Sequence, residues 1–234
     1  MFKKIKKSTL LILLFAICNL FAFASFHLPE YNIDIDCSKI LHKRAFDICY
    51  SCKWKTSKLV VYQIDGSLID KYNLSRKRLM FRPDYQLPAK CRSYPKDYSH
   101  TGYDRGHLAP NTIFDYSKAV QKETFLMSNI APQKPKLNRK LWAKIERFVR
   151  MQARKYGKIS VITGVCGSVG TLGKRKHDVN IPKWWHKILF LPNGNKIAFL
   201  VPNKNEGMSR AKANEFLTTL NDLEKECNIK IRGN

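Results

Sequence analysis

Four consecutive residues, Asp104-Arg105-Gly106-His107, constrain this chain more than any other stretch of its sequence. An aspartate can orient an imidazole, an arginine can hold a phosphate, and a histidine can exchange a proton near neutral pH. The glycine allows a sharp turn or a close approach of the backbone to a ligand. We therefore expect the run to lie at the edge of a cleft. The alternative is a polar turn whose histidine is a surface residue or a satisfied core residue.

The first 24 residues have the pattern of a signal peptide. Lysines precede an apolar run of 15 residues from Leu10 to Ala24, and Ala22-Phe23-Ala24 supplies the small residues that a signal peptidase requires. The run is shorter than the ~20 residues that span a bilayer as a helix. The sequence predicts cleavage after Ala24, a periplasmic or secreted protein, and no stable membrane anchor after cleavage. A retained anchor is the alternative.

The charge balance indicates a polyanionic partner. The chain carries 43 Lys and Arg residues against 18 Asp and Glu, a formal net charge of +25. Such an excess favours nucleic acid, anionic lipid or polysaccharide, and it exceeds what solubility requires. Because 44% of the residues are hydrophobic and 12% are aromatic, the chain is a folded protein and not a basic disordered tail.

The cysteines indicate disulfide bonds. Six remain after the predicted signal peptide: Cys37, Cys49, Cys52, Cys91, Cys166 and Cys227. An even number in an exported chain predicts structural pairing, and the sequence does not say which cysteine meets which. The Cys-x-x-Cys at 49–52 is alternatively a redox motif or half of a zinc site, although the chain has no second Cys-x-x-Cys.

The hydrophobic pattern predicts one mixed α+β domain over residues 58–234 with a largely antiparallel sheet, preceded by an irregular cysteine-containing arm over residues 25–57. The predicted elements are a hairpin over 58–72 around Asp65-Gly66, a helix over 117–127, a helix over 138–156, a strand over 158–163 before a flexible 164–167, a hairpin over 187–201, and a last helix that begins at Ser209. The basic run that contains Arg78 is either a solvated loop or a phosphate contact.

Asn138, Trp142 and Glu146 follow one another at steps of four along the longer predicted helix. Regular α-helical spacing places them along one side, next to the buried stripe. Amide and carboxylate oxygens suit a hard cation such as Mg²⁺. Since eight residues rise ~12 Å, Asn138 as a direct ligand and Glu146 acting through water is the arrangement that fits. The alternative is a helix-capping asparagine and an exposed glutamate.

Three blocks of sequence together resemble the DNA/RNA non-specific endonuclease family, which includes the Serratia-type secreted nucleases and mitochondrial endonuclease G. The blocks are Tyr103 to Pro110, Ser128 to Gln133, and Leu137 to Glu146, in the family's order and at its spacing. The similarity extends over about residues 58–202 and has no counterpart for the cysteine-containing arm. It implies a ββα-metal fold, a single Mg²⁺ that Mn²⁺ can replace, and hydrolysis of phosphodiester bonds in DNA and RNA.

The resemblance also implies a role for each matched residue. His107 would be the general base, Asn138 the metal ligand, and Glu146 a group that acts on the metal through water. Arg105 and, from a Ser-Arg-x-Arg match, Arg78 would contact the phosphate.

In the same family pattern Asn129 would orient or support the site. Arg139 departs from the glutamine that is usual after the metal-binding asparagine, and it is expected to add a positive charge near the metal. The alternative function is a cationic protein that binds nucleic acid or membranes and whose active site has decayed.

Overall fold

The computed structural model describes residues 26–28, 31–71, 79–173 and 177–233. The predicted signal peptide and Arg78 lie outside the described residues. The strands are β1 (Phe26–Leu28), β2 (Tyr31–Asp34), β3 (Lys39–His42), β4 (Phe46–Ser51), β5 (Thr56–Asp65), β6 (Asp104–His107), β7 (Ile130–Gln133), β8 (Lys158–Cys166), β9 (Trp184–Phe190), β10 (Lys196–Pro202), β11 (Leu217–Thr218) and β12 (Lys230–Gly233). The α-helices are α1 (Asn111–Phe114), α2 (Lys118–Thr124), α3 (Ala143–Tyr156) and α4 (Leu220–Cys227).

Seven strands form one antiparallel sheet in the order β11-β10-β9-β8-β5-β4-β3. Its central strands β5, β8 and β9 are buried at nearly every position because both faces are covered. Val60 and Tyr62 of β5 belong to the core cluster that includes the α3 side chains, whereas Leu59 and Val61 belong to a second cluster with Leu223 of α4. Alternate residues of a strand point to opposite faces. The sheet therefore separates two cores, and the predicted α+β class with a largely antiparallel sheet is confirmed.

A second, two-stranded sheet pairs β6 with β7 and carries the Asp104–His107 run. A π-helical turn at Leu137–Trp142 follows and continues directly into α3. These two strands and the helix form the ββα unit that the resemblance implies. Three residues of the predicted helical stripe, Leu141, Ile145 and Val149, are buried against the sheet. Among the described residues, no helix has the length and apolar character needed to cross a membrane.

The predicted irregular arm is instead built of strands. Strands β3 and β4 lie within residues 25–57, and both are hydrogen-bonded members of the seven-stranded sheet. Strands β1 and β2, in the same range, form a separate three-stranded sheet with β12. Charged and cysteine residues hide the strand pattern there, because β3 is an edge strand with exposed positions at Lys39 and His42.

The predicted hairpin at Asp65-Gly66 is wrong. In the described residues up to 71 the chain forms a 3₁₀ turn at Gly66–Leu68 in place of a second strand, and β5 pairs with β4 and β8. A β-carbon at residue 66 would lie 2.2 Å from the carbonyl oxygen of Ala153. This glycine therefore serves the packing of the turn against the end of α3, a tertiary contact that the local sequence does not reveal.

Two further predictions near the C-terminal half need correction. The flexible segment predicted at 164–167 is mostly strand, because β8 continues to Cys166. The last helix does not begin at Ser209. It begins at Leu220 with Thr219 as its N-cap, because the preceding chain forms β11 on the edge of the sheet beside β10. Leu217, on β11, is 53% exposed.

All six cysteines outside the predicted signal peptide form disulfides. The pairs are Cys37–Cys49, Cys52–Cys91 and Cys166–Cys227. The two cysteines of the Cys-x-x-Cys have different partners, so the motif serves structural pairing. Two of the bonds tie the ends of β4 and β8 to distant segments, which restricts the unfolded chain and stabilises the fold.

Candidate active site

His107 lies at the end of β6, where pairing with Ile130 of β7 fixes its backbone. Its imidazole packs against two aromatic rings that also contact each other, with centroid distances of 5.3 Å to Phe81 and 5.2 Å to Phe125. The side chain borders a small pocket of about 150 Å³, lined by His107, Pro110, Asn111, Thr112, Asn138 and Glu146. The structure thus brings together the predicted base, the predicted metal ligand and the predicted glutamate, which are distant in the sequence.

Gly106 serves packing and not ligand approach. A β-carbon there would lie 2.4 Å from Oε1 of Gln133 and 2.8 Å from the ring of Trp185. The indole of Trp185 is fully buried. The glycine therefore lets β6 lie directly on the core and holds His107 at its edge.

Asn129 supports the site from below and does not line the pocket. It is completely buried. Its Nδ2 donates to the carbonyl oxygens of Ala109 and Thr124 at 2.9 Å each, and its Oδ1 accepts from the amide of Ala109 at 2.9 Å. Two of these three hydrogen bonds fix Ala109, just after His107, and the third joins that segment to Thr124. Its place in the predicted site is therefore one of positioning.

Asn138 lies in the π-helical turn, and Asp104 fixes the orientation of its amide. Nδ2 of Asn138 donates to Oδ2 of Asp104 at 2.9 Å. An ionised carboxylate only accepts hydrogen bonds, so this contact selects the amide nitrogen and leaves Oδ1 of Asn138 for another partner. This role of Asp104 is not visible in the sequence, because the two residues meet only through the tertiary fold.

Arg139 does not add an unbalanced positive charge next to Asn138, as its departure from the family pattern had suggested. Its Nε and Nη2 donate to the two carboxylate oxygens of Asp104 at 2.8 and 2.6 Å. The pair is bidentate, with the arginine side chain 67% exposed and the aspartate 16% exposed. The charge of Arg139 is thus matched by the carboxylate that holds Asn138.

Glu146 is half-buried and borders the pocket from α3, so it is not the exposed helix glutamate of the alternative interpretation. Burial raises the pKa of its carboxyl group, and the positive charges of Lys187 and Arg150 oppose that rise. Neither cation was identified from the sequence.

Lys187 is a fully buried lysine on β9. Its ammonium group donates to the hydroxyl of Tyr62 at 3.0 Å and to Oγ1 of Thr163, its cross-strand partner on β8. The ring of Trp142 lies 5.1 Å away. Burial lowers the pKa of Lys187 to about 8, and the negative charge of Glu146 opposes that change. In the sequence, Lys187 is a single lysine within an apolar strand, and such a lysine is usually interpreted as facing solvent.

Arg150 lies one turn of α3 beyond Glu146, on the same side of the helix. Its Nη1 donates to Oγ1 of Thr112, which lines the pocket, at 3.1 Å. The spacing of four residues from Glu146 was the sequence signal that could have revealed this arginine. Arg150 brings a guanidinium to the rim of the pocket.

Arg105 is not among the residues that line the pocket. Its Nη2 donates to the carbonyl oxygen of Pro95 at 2.7 Å, and its guanidinium lies 5.4 Å from the ring of Phe81. Since Arg105 and His107 alternate along β6, they face the same side of the strand.

The pocket residues fit a hard divalent cation. Oδ1 of Asn138 and the carboxylate of Glu146 are oxygen donors of the kind that Mg²⁺ prefers, and Mg²⁺ keeps several waters in place of protein ligands. Within the described ranges, no group of three or more His, Cys, Asp or Glu residues is placed to hold a metal ion. The candidate donor set is therefore one amide and one carboxylate.

Comparison with known proteins places these features in a family. The family described as DNA/RNA non-specific endonuclease matches residues 27–233. The match begins upstream of residue 58, the predicted start of the similarity. The mitochondrial nuclease of Saccharomyces cerevisiae is 33% identical over 124 residues, covering 53% of this chain and 38% of that protein. A nuclease of Nostoc sp. is 33% identical over 151 residues, covering 64% and 53%. Human mitochondrial endonuclease G is 31% identical over 127 residues, covering 54% and 42%.

The chain spans about half, or less, of the length of these relatives. A solved structure of an EndoG/EndoGI complex matches the fold with a TM-score of 0.70 at 21% identity, covering 82% of this chain and 84% of that chain. At this level of identity the likeness concerns the fold alone. The family match over nearly the whole described chain carries the assignment: the chain belongs to the DNA/RNA non-specific endonuclease family.

Proposed function

We propose that this protein is an exported, Mg²⁺-dependent endonuclease that hydrolyses phosphodiester bonds of DNA and RNA without selecting the sugar. The observation that carries the proposal is the single pocket that His107, Asn138 and Glu146 share. A protein that only bound nucleic acid would need none of these three side chains in one pocket. The family and the names of the relatives agree with a nuclease.

His107 is the general base of the proposed reaction. Hydrolysis requires water to attack phosphorus, and a neutral imidazole at the edge of the pocket accepts the proton that the water loses. The two aromatic rings that contact the imidazole restrict its orientation, so it does not have to be ordered in each catalytic cycle.

Asn138 would hold the cation through Oδ1, and Glu146 would accept hydrogen bonds from water beside it. A divalent cation at this place supplies charge stabilisation to the phosphate and the leaving oxygen. Arg150 at the rim adds positive charge from the protein itself, next to Thr112. Arg105 on the same face of β6 as His107 supplies a second guanidinium for the phosphate.

The substrate follows from charge and from the residues of the pocket. A net charge of +25 attracts any polynucleotide through its phosphates. Phosphate contacts position a nucleic acid but carry no sequence information. The protein is therefore expected to cut supercoiled DNA, linear DNA and RNA with little base preference.

Three disulfides support the proposed export of the protein, because such bonds form and persist in oxidising compartments. In native protein recovered from outside the cytoplasm, a thiol-reactive label should modify none of the six paired cysteines before reduction. Full labelling without reductant would contradict export to an oxidising compartment.

The function is tested by degradation of plasmid DNA and of RNA with Mg²⁺, with Mn²⁺ and with EDTA. Cleavage of both substrates that EDTA abolishes and that either metal restores is the expected result. Binding of DNA without cleavage at any metal concentration would refute the nuclease and identify a cationic binding protein with a decayed site. Cleavage of one nucleic acid alone would refute the lack of sugar selection.

A further inference from the structure

Tyr85 is an aromatic side chain displayed to solvent, with 73% of its surface exposed. The guanidinium of Arg92 lies 4.8 Å from the centre of its ring. That guanidinium is held in turn, because Nε of Arg92 donates to the carbonyl oxygen of Leu87 at 2.6 Å. The ring is thus supported on one side by a fixed cation while most of its surface remains open.

The loop that carries Tyr85 is fixed by a buried carboxylate. Asp84 is 3% exposed, and its carboxylate accepts hydrogen bonds from Nζ of Lys43 and Oγ of Ser128 at 2.6 Å each, and from the amide of Gln86 at 3.0 Å. The disulfide of Cys91 anchors the chain beside Arg92. A ring displayed from such a loop costs little conformational entropy when it binds a partner.

The same loop begins beside His107, which borders the pocket. Phe81, whose ring contacts the imidazole of His107, is four residues before Tyr85. Four residues span at most ~14 Å, so the tyrosine lies within the reach of a strand whose phosphate occupies the pocket.

The positive charges around Tyr85 favour binding of a polyanion. Between residues 82 and 96 the exposed charged residues are Arg82, Lys90 and Lys96, all positive. The one acidic residue in that range is the buried Asp84. A surface that combines fixed cations with an open aromatic ring matches the usual platform for a single strand, in which the cations track the phosphates and a base stacks on the ring.

We propose that the open face of Tyr85 binds a nucleobase of the substrate strand, outside the pocket that holds the scissile phosphate. The proposal rests on the proposed function, since it names a contact of the same substrate. Every base has a π face, so this contact is indifferent to sequence. It favours unpaired segments, because a base inside a duplex is already stacked on its neighbours.

The test compares two probes of equal length and charge, a thymidine oligonucleotide and an oligomer of abasic sites. Binding is measured by fluorescence anisotropy with Mg²⁺ in a His107→Ala background, which is expected to slow cleavage ~10²–10⁴-fold. The expected result is that the base-bearing probe binds about 5-fold or more tightly than the abasic one, and that Tyr85→Ala removes this difference while Tyr85→Phe keeps it.

Affinity for the abasic probe should be the same with and without Tyr85→Ala. Leu217→Ala, another exposed apolar side chain, is the matched control and should change neither affinity. With His107 intact, Tyr85→Ala should raise KM for single-stranded DNA and leave kcat unchanged. Discrimination that survives Tyr85→Ala, or an equal loss for both probes, would overturn the base contact. A wild-type protein that binds but does not cleave would refute the nuclease and leave this binding test intact.

Discussion

Asp104 offers the sharpest test of how the candidate metal site is built. In Asp104→Ala the amide of Asn138 loses the acceptor that fixes its orientation, a contact of 2.9 Å to a carboxylate that is 16% exposed. A hydrogen bond to a charged group contributes about 1.5–3 kcal/mol, or about 10–100-fold in an equilibrium constant. Loss of a partner behind a metal ligand typically costs the same range in metal affinity. We expect the half-saturating Mg²⁺ concentration for cleavage to rise about 10–100-fold.

Arg139→Gln is the matched control, because it removes the other partner of Asp104 and keeps the contact to Asn138. The arginine is 67% exposed, and exposed ion pairs contribute about 0–1 kcal/mol, so the Mg²⁺ requirement should change by less than about 5-fold. The assay is initial cleavage rate against Mg²⁺ concentration, with circular dichroism to confirm folding. An unchanged Mg²⁺ requirement in folded Asp104→Ala, or an equal rise in both variants, would refute the orienting role of Asp104.

Three further predictions test the pocket and the core. His107→Ala should lose ~10²–10⁴-fold in cleavage rate with Mg²⁺ present while binding DNA as before, and a folded variant with wild-type cleavage would remove it as the base. Arg150→Ala should lower kcat by ~10²-fold or more. Arg154→Ala, which changes an exposed arginine farther along α3, is the control and should leave kcat unchanged. Equal rates in the two variants would contradict a role of Arg150 at the pocket. Burial, and secondarily the charge of Lys187, lower the pKa of His186 to about 3, so the folded state rejects a proton that the unfolded chain accepts near pH 6.5. The resulting contribution to the free energy of unfolding is complete above ~pH 6.5 and is lost as the pH falls toward 3, with about 3 kcal/mol lost by pH 4. Urea unfolding of His186→Gln should therefore show a decrease in stability between neutral pH and pH 4 that is smaller by about 3 kcal/mol than in the wild type. An identical decrease in both proteins would refute the assignment.

The sequence pointed to three of the six pocket residues, His107, Asn138 and Glu146, because their signals are short and local. The spacing of Asn138 and Glu146 and the run that ends in His107 are visible without the fold. The same reasoning did not find Asp104 as the partner of Asn138, because 34 residues separate them and the ribbon of β6 and β7 brings them together. Lys187 was also missed. A lysine is rarely buried unless it has partners, and the partners of Lys187 come from neighbouring strands that the local sequence does not identify.

Errors in the fold have the same physical origin. Asp65-Gly66 is a strong local signal for a hairpin, and it was overridden by packing of the turn against Ala153. The predicted start of the last helix was too early in the sequence. The apolar spacing of that helix continues into the residues that form β11 at the edge of the sheet. Local preference was decisive where the element packs by its own periodic face, as in α3, and not where an edge strand or a turn depends on a distant neighbour.

The π-helical turn at Leu137–Trp142 sets the relative orientation of the two oxygen donors. A π turn holds one residue more than the α-helical ladder accommodates. If the same residues took regular α-helical bonding at ~100° per residue, Asn138 and Glu146, which are eight residues apart, would be offset by ~80° about the helix axis. Deletion of one residue between Asn138 and Ala143 would also restore regular α-helical bonding, but the two residues would then be seven apart, ~20° short of two full turns, and would stay on one side of the helix. Loss of the π winding at constant length therefore turns the two donors apart even when every side chain of the site is retained, whereas removal of the extra residue does not.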